Sequence, residues 1–379
     1  MRGDWPQIID QSLAGLRRGE FAAVRAVLEP LAGRESPAPI WLLLADARRG
    51  LGDDKGEEAA LDAALAADGR FLPALLAKGD LLLRRGDDRA AVSFFGLALS
   101  SAPSDPPPPL AQRLRDAQAK VAAAQQRFAA HLDQQLRSAG LPDQRPPRFA
   151  EALDILAGTR AIQIQQPTSF FYPGLPQLAF HDPADFGWAE AFAAQGPAIR
   201  AELNALLADD HAFAPYVQGD SMRANRGHAL LGDPRWSALY LWKNGAPVAE
   251  NAERCPATMR ALSAVPMPRI PGRAPNVLFS LLRPKTHIPP HWGMINTRLI
   301  CHLPLIVPER CRLRVGNHER TVEQDQLLIF DDSLEHEAWN DSDEVRVVLL
   351  FEIWNPALSA DERAALTAMF GCIGSYGEG

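Results

Sequence analysis

The sequence predicts an α+β chain in which α-helical repeats come first and an antiparallel β region follows. Three observations carry this: a 34-residue self-similarity confined to the first hundred residues, a shift toward Pro, Trp and Phe from Arg148 onward, and short branched-apolar segments clustered between Asn276 and Pro356. At 379 residues, with 47% hydrophobic and 22% charged residues, the chain has the composition of a folded protein of two or three domains. A net charge of −7 and a pI near 5.8 leave no basic face for nucleic acid. No stretch of eighteen apolar residues is present, and Met1-Arg2-Gly3-Asp4-Trp5 lacks a charged-then-apolar leader pattern, so a cytoplasmic chain with no membrane span is expected. Cys255, Cys301, Cys311 and Cys372 are widely spaced, without a Cys-x-x-Cys pair, and read as reduced thiols.

Residues 7–103 read as helices throughout. Trp41 aligns with Leu75, Ala45 with Gly79, Gly52-Asp53-Asp54 with Gly86-Asp87-Asp88, and Leu61 with Phe95, at the 34-residue period of the tetratricopeptide repeat. A partial match at Leu16-Arg17-Arg18-Gly19-Glu20-Phe21 suggests a degenerate earlier copy. The alternative is a generic alanine-rich bundle. Ser104, Asp105 and the prolines 106–109 break this pattern, and an amphipathic helix over 110–139 follows, closed by Gly140 and Pro142. The expected domains are therefore 1–103 (repeats), 104–147 (linker and long helix) and 148–379 (β-rich).

In the third region, 169–176 is a turn-rich aromatic patch and 188–209 an amphipathic helix. Segment 236–245 is a strand ending in the turn signal Asn244-Gly245, and 265–275 is a Pro-rich connection. Strands are expected over 276–283, 298–307, 312–315, 326–330 and 345–353. His291 and His336 end up near the ends of different segments, a placement that suits a metal site but also suits histidines satisfied by hydrogen bonds in a core.

The ordered run Phe171-Tyr172-Pro173-Gly174-Leu175, Trp236, Cys255-Pro256-Ala257-Thr258, His291-x-Gly293, Asn296, His302-Leu303 and Phe330-Asp331-Asp332-Ser333-x-Glu335-His336-Glu337-x-Trp339 resembles the aspartyl/asparaginyl β-hydroxylase family. The resemblance covers residues 150–358. It implies a double-stranded β-helix (a jelly-roll, cupin-like fold) that uses Fe(II), 2-oxoglutarate and O2. Such a dioxygenase converts 2-oxoglutarate to succinate and carbon dioxide while hydroxylating an unactivated C–H bond. The implied target is the β-carbon of an Asp or Asn residue in a peptide or protein, which the helical repeats would help to hold. Relatives acting on acyl chains, free amino acids or carrier-bound groups supply the alternative of a small molecule or lipid.

Carried over by position, the resemblance implies His291 and His336 as the metal ligands, with water where Gly293 offers no acid. Arg346, ten residues past His336, would grip the distal carboxylate of 2-oxoglutarate, with Ser280 and His302 beside it and Arg298 on the same strand face as His302. Trp292, Gly293, Asn296, Asp332 and Trp339 belong to the catalytic or substrate pocket, with Trp292, Trp339 and Phe330 as its dry wall. Asp331, Asp332 and Glu335 are the expected acceptors that fix the imidazoles. For Arg346 the alternative is a rim salt bridge with Asp343 or Glu344. One departure stands out, since Ile300 occupies a position where the family commonly has arginine. Arg298, Lys285, His287, Arg223 and Arg226 are the candidate cations to compensate. Two further function classes are an inert binding barrel carried on a repeat scaffold, which would not need Ser280, Arg346 and both histidines, and a zinc hydrolase, which would want a third protein ligand.

Overall fold

Apolar residues recur every three or four positions through the first hundred residues, and they fold into packed helices: α1 Trp5–Arg17, α2 Phe21–Leu28, α3 Ala38–Gly50, α4 Asp54–Ala67, α5 Leu72–Arg84 and α6 Asp88–Ser100. The structure, a computed structural model, describes residues 5–33, 35–208, 213–218 and 229–375. It divides into the units Met1–Ala161 and Ile162–Gly379.

In the first unit α5 begins 34 residues after α3, and α6 34 after α4. The hairpin turns repeat in atomic detail. Gly52 and Gly86 adopt φ of +74° and +77°, the left-handed region that closes a helix, and Asp53 and Asp87 then cap the next one. Their carboxylates accept from Gly56 N at 2.9 Å and Ala90 N at 3.0 Å. The proline run marks a beginning as well as a break: α7 (Pro108–Ser138) starts on Pro108 and Pro109, where the first turn has no use for their missing N–H groups. A further helix, α8 (Pro147–Leu156), completes the unit.

The second unit is built on two antiparallel sheets. Its strands are β1 Phe180–His181, β2 Ala214–Pro215, β3 Trp236–Lys243, β4 Ala246–Pro247, β5 Val277–Leu282, β6 Thr286–His291, β7 Arg298–Ile306, β8 Cys311–Val315, β9 His318–Thr321, β10 Leu328–Phe330, β11 His336–Asn340 and β12 Arg346–Trp354. The larger sheet runs β1-β10-β7-β12-β5-β3-β2, with β4 on β3, and the smaller runs β6-β11-β8-β9. Consecutive strands are shared between the sheets, as in a double-stranded β-helix.

The central strands of the larger sheet are buried on both faces, which is why they read as unbroken apolar runs. Odd-numbered residues such as Phe279, Leu303 and Phe351 pack beneath the helices α9 (Ala189–Ala193), α10 (Gly196–Leu207) and α12 (Pro256–Leu262), the last preceded by the short α11 (Ala249–Ala252). Even-numbered residues such as Leu282, Ile300 and Leu328 turn toward the smaller sheet and meet Ile288, Leu313 and Ala338. The C-terminal helix α13 (Ala360–Ser375) adds Leu366 and Phe370 to a separate cluster with Ile270 and Leu358.

Two sequence expectations are revised. The single helix over 188–209 is two helices, because Pro197 belongs to the first turn of α10 and cannot donate within a longer helix; Asp209 lies outside the described residues. Strands β6, β9 and β11 were not among the expected segments. The prolines Pro289 and Pro290 of β6 are tolerated because β6 is an edge strand whose register shifts between the pairs His291–His336 and Ile288–Ala338.

Candidate active site

A cavity of about 380 Å³ lies between the sheets of the second unit. At one side His291, the last residue of β6, and His336, the first of β11, are direct cross-strand partners. Their ring centroids are 4.1 Å apart and their planes meet at 50°. Nδ1 of His291 lies 2.9 Å from the carbonyl oxygen of Pro289, and Nδ1 of His336 lies 3.1 Å from that of Leu334. A carbonyl oxygen can only accept, so each Nδ1 carries the proton and Nε2 keeps the lone pair. Burial pushes the His336 pKa down to about 4, which leaves that ring neutral.

Backbone carbonyls thus orient the imidazoles, and the three carboxylates expected in that role are engaged elsewhere. Asp331 accepts from the Ser333 amide at 2.9 Å, the Ser333 hydroxyl at 2.6 Å and Gln165 Nε2 at 2.6 Å. Glu335 pairs with Arg314 at 2.9 Å. Asp332 faces Arg298 at 3.3 Å. Each ring turns back along the chain toward the carbonyl two residues earlier.

Gly293 is glycine for a steric reason. A Cβ there would sit 2.2 Å from Asp332 Oδ2, so the Asp332 carboxylate occupies the space into which a side chain at 293 would grow. The other oxygen, Oδ1, is buried without a hydrogen-bond partner, and burial raises this carboxyl above its usual range, with Arg298 pulling the other way. Among the described residues no group of three or more His, Cys, Asp or Glu side chains is arranged to hold a metal ion. Two imidazoles, each turned by a backbone carbonyl, fit a divalent iron centre, whereas zinc sites ordinarily recruit three protein ligands.

At the other side is Arg346, 1% exposed, whose Nε and Nη1 have no partner. Burial holds its pKa below the ordinary value, at about 10. The rim salt bridge does not form, since Asp343 pairs with Lys285 at 2.9 Å and with Arg310 at 3.7 Å. Register explains what surrounds Arg346. Val348 pairs with Ser280 and Leu350 with His302, so Ser280, Arg346 and His302 share the inner face of three adjacent strands. Ser280 accepts from Trp236 Nε1 at 3.1 Å. His302 is held well below its usual pKa, by burial first and the Arg346 charge next, and its Nδ1 is buried and unpartnered. A buried cation beside unsatisfied donors is what a carboxylate ligand requires.

Arg298 lines the cavity, but its charge is spoken for. It pairs with Glu352 on the neighbouring strand and with Asp332, and these outweigh burial to raise its pKa. Ile300 lies beside it as bare hydrocarbon. Lys285 is drawn to Asp343 and the Asp341 carbonyl, and His287 bonds Glu337 at 2.8 Å, so neither reaches the cavity. Arg223 and Arg226 lie outside the described residues. Trp292, Gly293, Asp332 and Phe330 line the cavity, whereas Asn296 and Trp339 do not. Asn296 ties Tyr172 and Gln165 to the barrel through three hydrogen bonds of 2.8–3.0 Å. Trp339 is stacked between His287 and Arg312 on the outer face. Glu352 and Tyr216 were not anticipated as cavity residues. Glu352 could have been found, since an acid inside Leu349-Leu350-Phe351-Glu352-Ile353 shares the strand parity of Arg346.

Residues 193–356 match the family model described as aspartyl/asparaginyl beta-hydroxylase. Across those residues the unit is similar to the aspartyl/asparaginyl β-hydroxylase family. The human aspartyl/asparaginyl beta-hydroxylase is 36% identical over 136 residues, 35% of this chain and 18% of that one. The ornithine lipid ester-linked acyl 2-hydroxylase of Rhizobium tropici is 36% identical over 191 residues, 50% of this chain and 64% of that one. A Pseudomonas putida prolyl-4-hydroxylase structure aligns with a TM-score of 0.26 and 15% identity over 44% of this chain and 88% of that one. The chain therefore spans less than two thirds of the length of these two curated hydroxylases.

Proposed function

We propose that the chain is a 2-oxoglutarate- and Fe(II)-dependent dioxygenase. The observation that carries this is Arg346: a fully buried guanidinium with unpaired donors, facing the same cavity as two carbonyl-oriented imidazoles. His291 and His336 would hold the iron through Nε2. Arg346, Ser280 and His302 would hold the cosubstrate. The bound iron and 2-oxoglutarate supply the oxidising chemistry with O2. The rest falls to the protein. Trp292, Phe330, Ile300 and Leu313 keep the cavity dry, and Asp332 Oδ1 offers one acceptor to a polar hydrogen near the ligand histidines.

The proposed target is the β-carbon of an asparaginyl or aspartyl residue in a peptide. Asparagine is the better fit, because no cation lining this cavity other than Arg346 is uncommitted among the described residues. The apolar wall at Ile300 favours a second reading, hydroxylation of an acyl chain, the substrate in the name of the Rhizobium relative. The 34-residue helical repeats are proposed to be tetratricopeptide-like and to bind extended peptide. No helix among the described residues is long and apolar enough to cross a membrane, and action in the cytoplasm is proposed.

The test is succinate release from 2-oxoglutarate by iron-loaded wild type and His336→Ala. Turnover in wild type that is absent from the variant, and stimulated by Asn-containing peptide above Asp-containing peptide or acyl substrate, is the expected result. Equal turnover in the two proteins overturns the assignment.

A further inference from the structure

A second cavity, of about 440 Å³, adjoins the first and shares Asn244, Asn276, Met294, Arg298 and Glu352 as walls. Its charged lining consists of two arginines, Arg273 and Arg298, against one glutamate, Glu352. That glutamate is already engaged: Oε1 accepts from Asn276 N at 2.6 Å and Nδ2 at 3.3 Å, and Oε2 pairs with Arg298. Arg273 is different. Its guanidinium lies 4.3 Å over the Phe370 ring, and it forms no salt bridge among the described residues. Burial, and then the charge of Arg298, lower its pKa.

Two more donors around this cavity are unsatisfied. Thr297 is fully buried, and its hydroxyl has no hydrogen-bond partner. Nε of Arg298 is likewise buried without one. Orphaned buried polar atoms are rare in folded proteins, and two of them meet at this opening, where Arg273 leaves the lining with surplus positive charge. In the first cavity the single uncommitted cation, Arg346, is assigned to the cosubstrate. A charged substrate group would find its counter-ion next door.

We propose that the second cavity is an oxyanion-binding subsite, in which Arg273 and the Thr297 hydroxyl hold a carboxylate or phosphate group of the substrate remote from the carbon oxidised in the first cavity. Its role as part of a substrate site rests on the hydroxylase reading; its capacity to bind an oxyanion does not. Arg273 is a specificity residue in this scheme and takes no part in the oxidation.

The test is calorimetric titration of the full chain, free of iron and of 2-oxoglutarate, with inorganic phosphate in one arm and acetate in the other. Wild type should bind at least one of these anions. Affinity should fall tenfold or more in Arg273→Gln and stay within threefold of wild type in Arg273→Lys, and both results should persist once excess 2-oxoglutarate occupies Arg346. The preferred anion identifies the group as phosphate or carboxylate. Thermal unfolding of each variant distinguishes lost binding from lost folding, and the lysine variant, which keeps the charge over Phe370, stands if the glutamine variant does not fold. No binding of either anion to wild type, equal binding in Arg273→Gln, or binding lost once excess 2-oxoglutarate is present overturns the proposal. A protein that never consumes 2-oxoglutarate but loses anion binding in Arg273→Gln would retire the oxygenase reading and keep the subsite.

Discussion

Replacing Arg346 with methionine should move stability and cosubstrate affinity in opposite directions. The side chain is 1% exposed, and two of its donor nitrogens lack partners. Each buried unsatisfied donor costs about 1–3 kcal/mol, and an uncompensated buried charge adds to that. The depression of its pKa to about 10, caused by burial, has the same sign. Methionine fills much of the same volume without a charge, so the unliganded variant should be more stable by about 1–4 kcal/mol. For a unit of this size that is about 2–4 °C in Tm per kcal/mol. The other side of the change is the lost grip on a carboxylate. Two charge-assisted hydrogen bonds are worth about 1.5–3 kcal/mol each, so the KM for 2-oxoglutarate should rise by roughly 10²–10⁴. Saturating 2-oxoglutarate should raise the Tm of wild type, by about 2.7 kcal/mol of stabilisation at one hundred times Kd, and leave the variant unmoved. Scanning calorimetry with and without 2-oxoglutarate, alongside succinate release, measures both. A variant less stable than unliganded wild type yet still stabilised by 2-oxoglutarate would refute the reasoning, because it would mean that Arg346 serves the fold and has no ligand.

Gly293→Ala should destabilise the protein by about 1–3 kcal/mol, since its methyl would meet Asp332 at 2.2 Å; most of the loss should return in the double variant with Asp332→Ala, as read by denaturant unfolding. Asp331 has a pKa raised to about 6, by burial first, so its stabilising contribution is full below pH 4 and lost as pH rises through 6. Relative to Asp331→Asn, wild type should lose up to about 3 kcal/mol between pH 4 and 7, and a difference that does not change with pH would sink this prediction. Asp53→Ala and Asp87→Ala should each cost about 1 kcal/mol of cap stabilisation in the helical unit, visible as earlier thermal unfolding by circular dichroism.

Much of the fold was legible because local chemistry repeats. Gly52-Asp53 and Gly86-Asp87 each encode a left-handed turn followed by a cap, and that pair set the 34-residue period. Ser280, His302 and Arg346 were reached through the family resemblance, and it is the register of three strands that sets them on one face. Parity alone should also have placed Glu352 there, yet a single acid in an apolar run did not stand out as a counter-ion for Arg298. Strands β6 and β11 were hidden because one carries prolines at an edge and the other shows Glu337 and Trp339 outward. Motif matching brought Asn296 and Trp339 into the candidate site, but a motif does not separate residues that touch a ligand from those that brace the frame. What holds the imidazoles was also beyond reach, because the carbonyls of Pro289 and Leu334 leave no trace in side-chain identity.

The pairing of His291 with His336 across one ladder has a consequence for how the protein matures. Forty-five residues of chain separate them, including β7 through β10, so a nascent chain exposes the first ring long before it owns the second. The iron proposed for this pair could be retained only after that whole excursion has closed back on the edge strand, and a slip of one residue in the ladder would turn one ring away from the other. On that proposal, metal capture waits on this ladder and certifies that its strands have found the right neighbours.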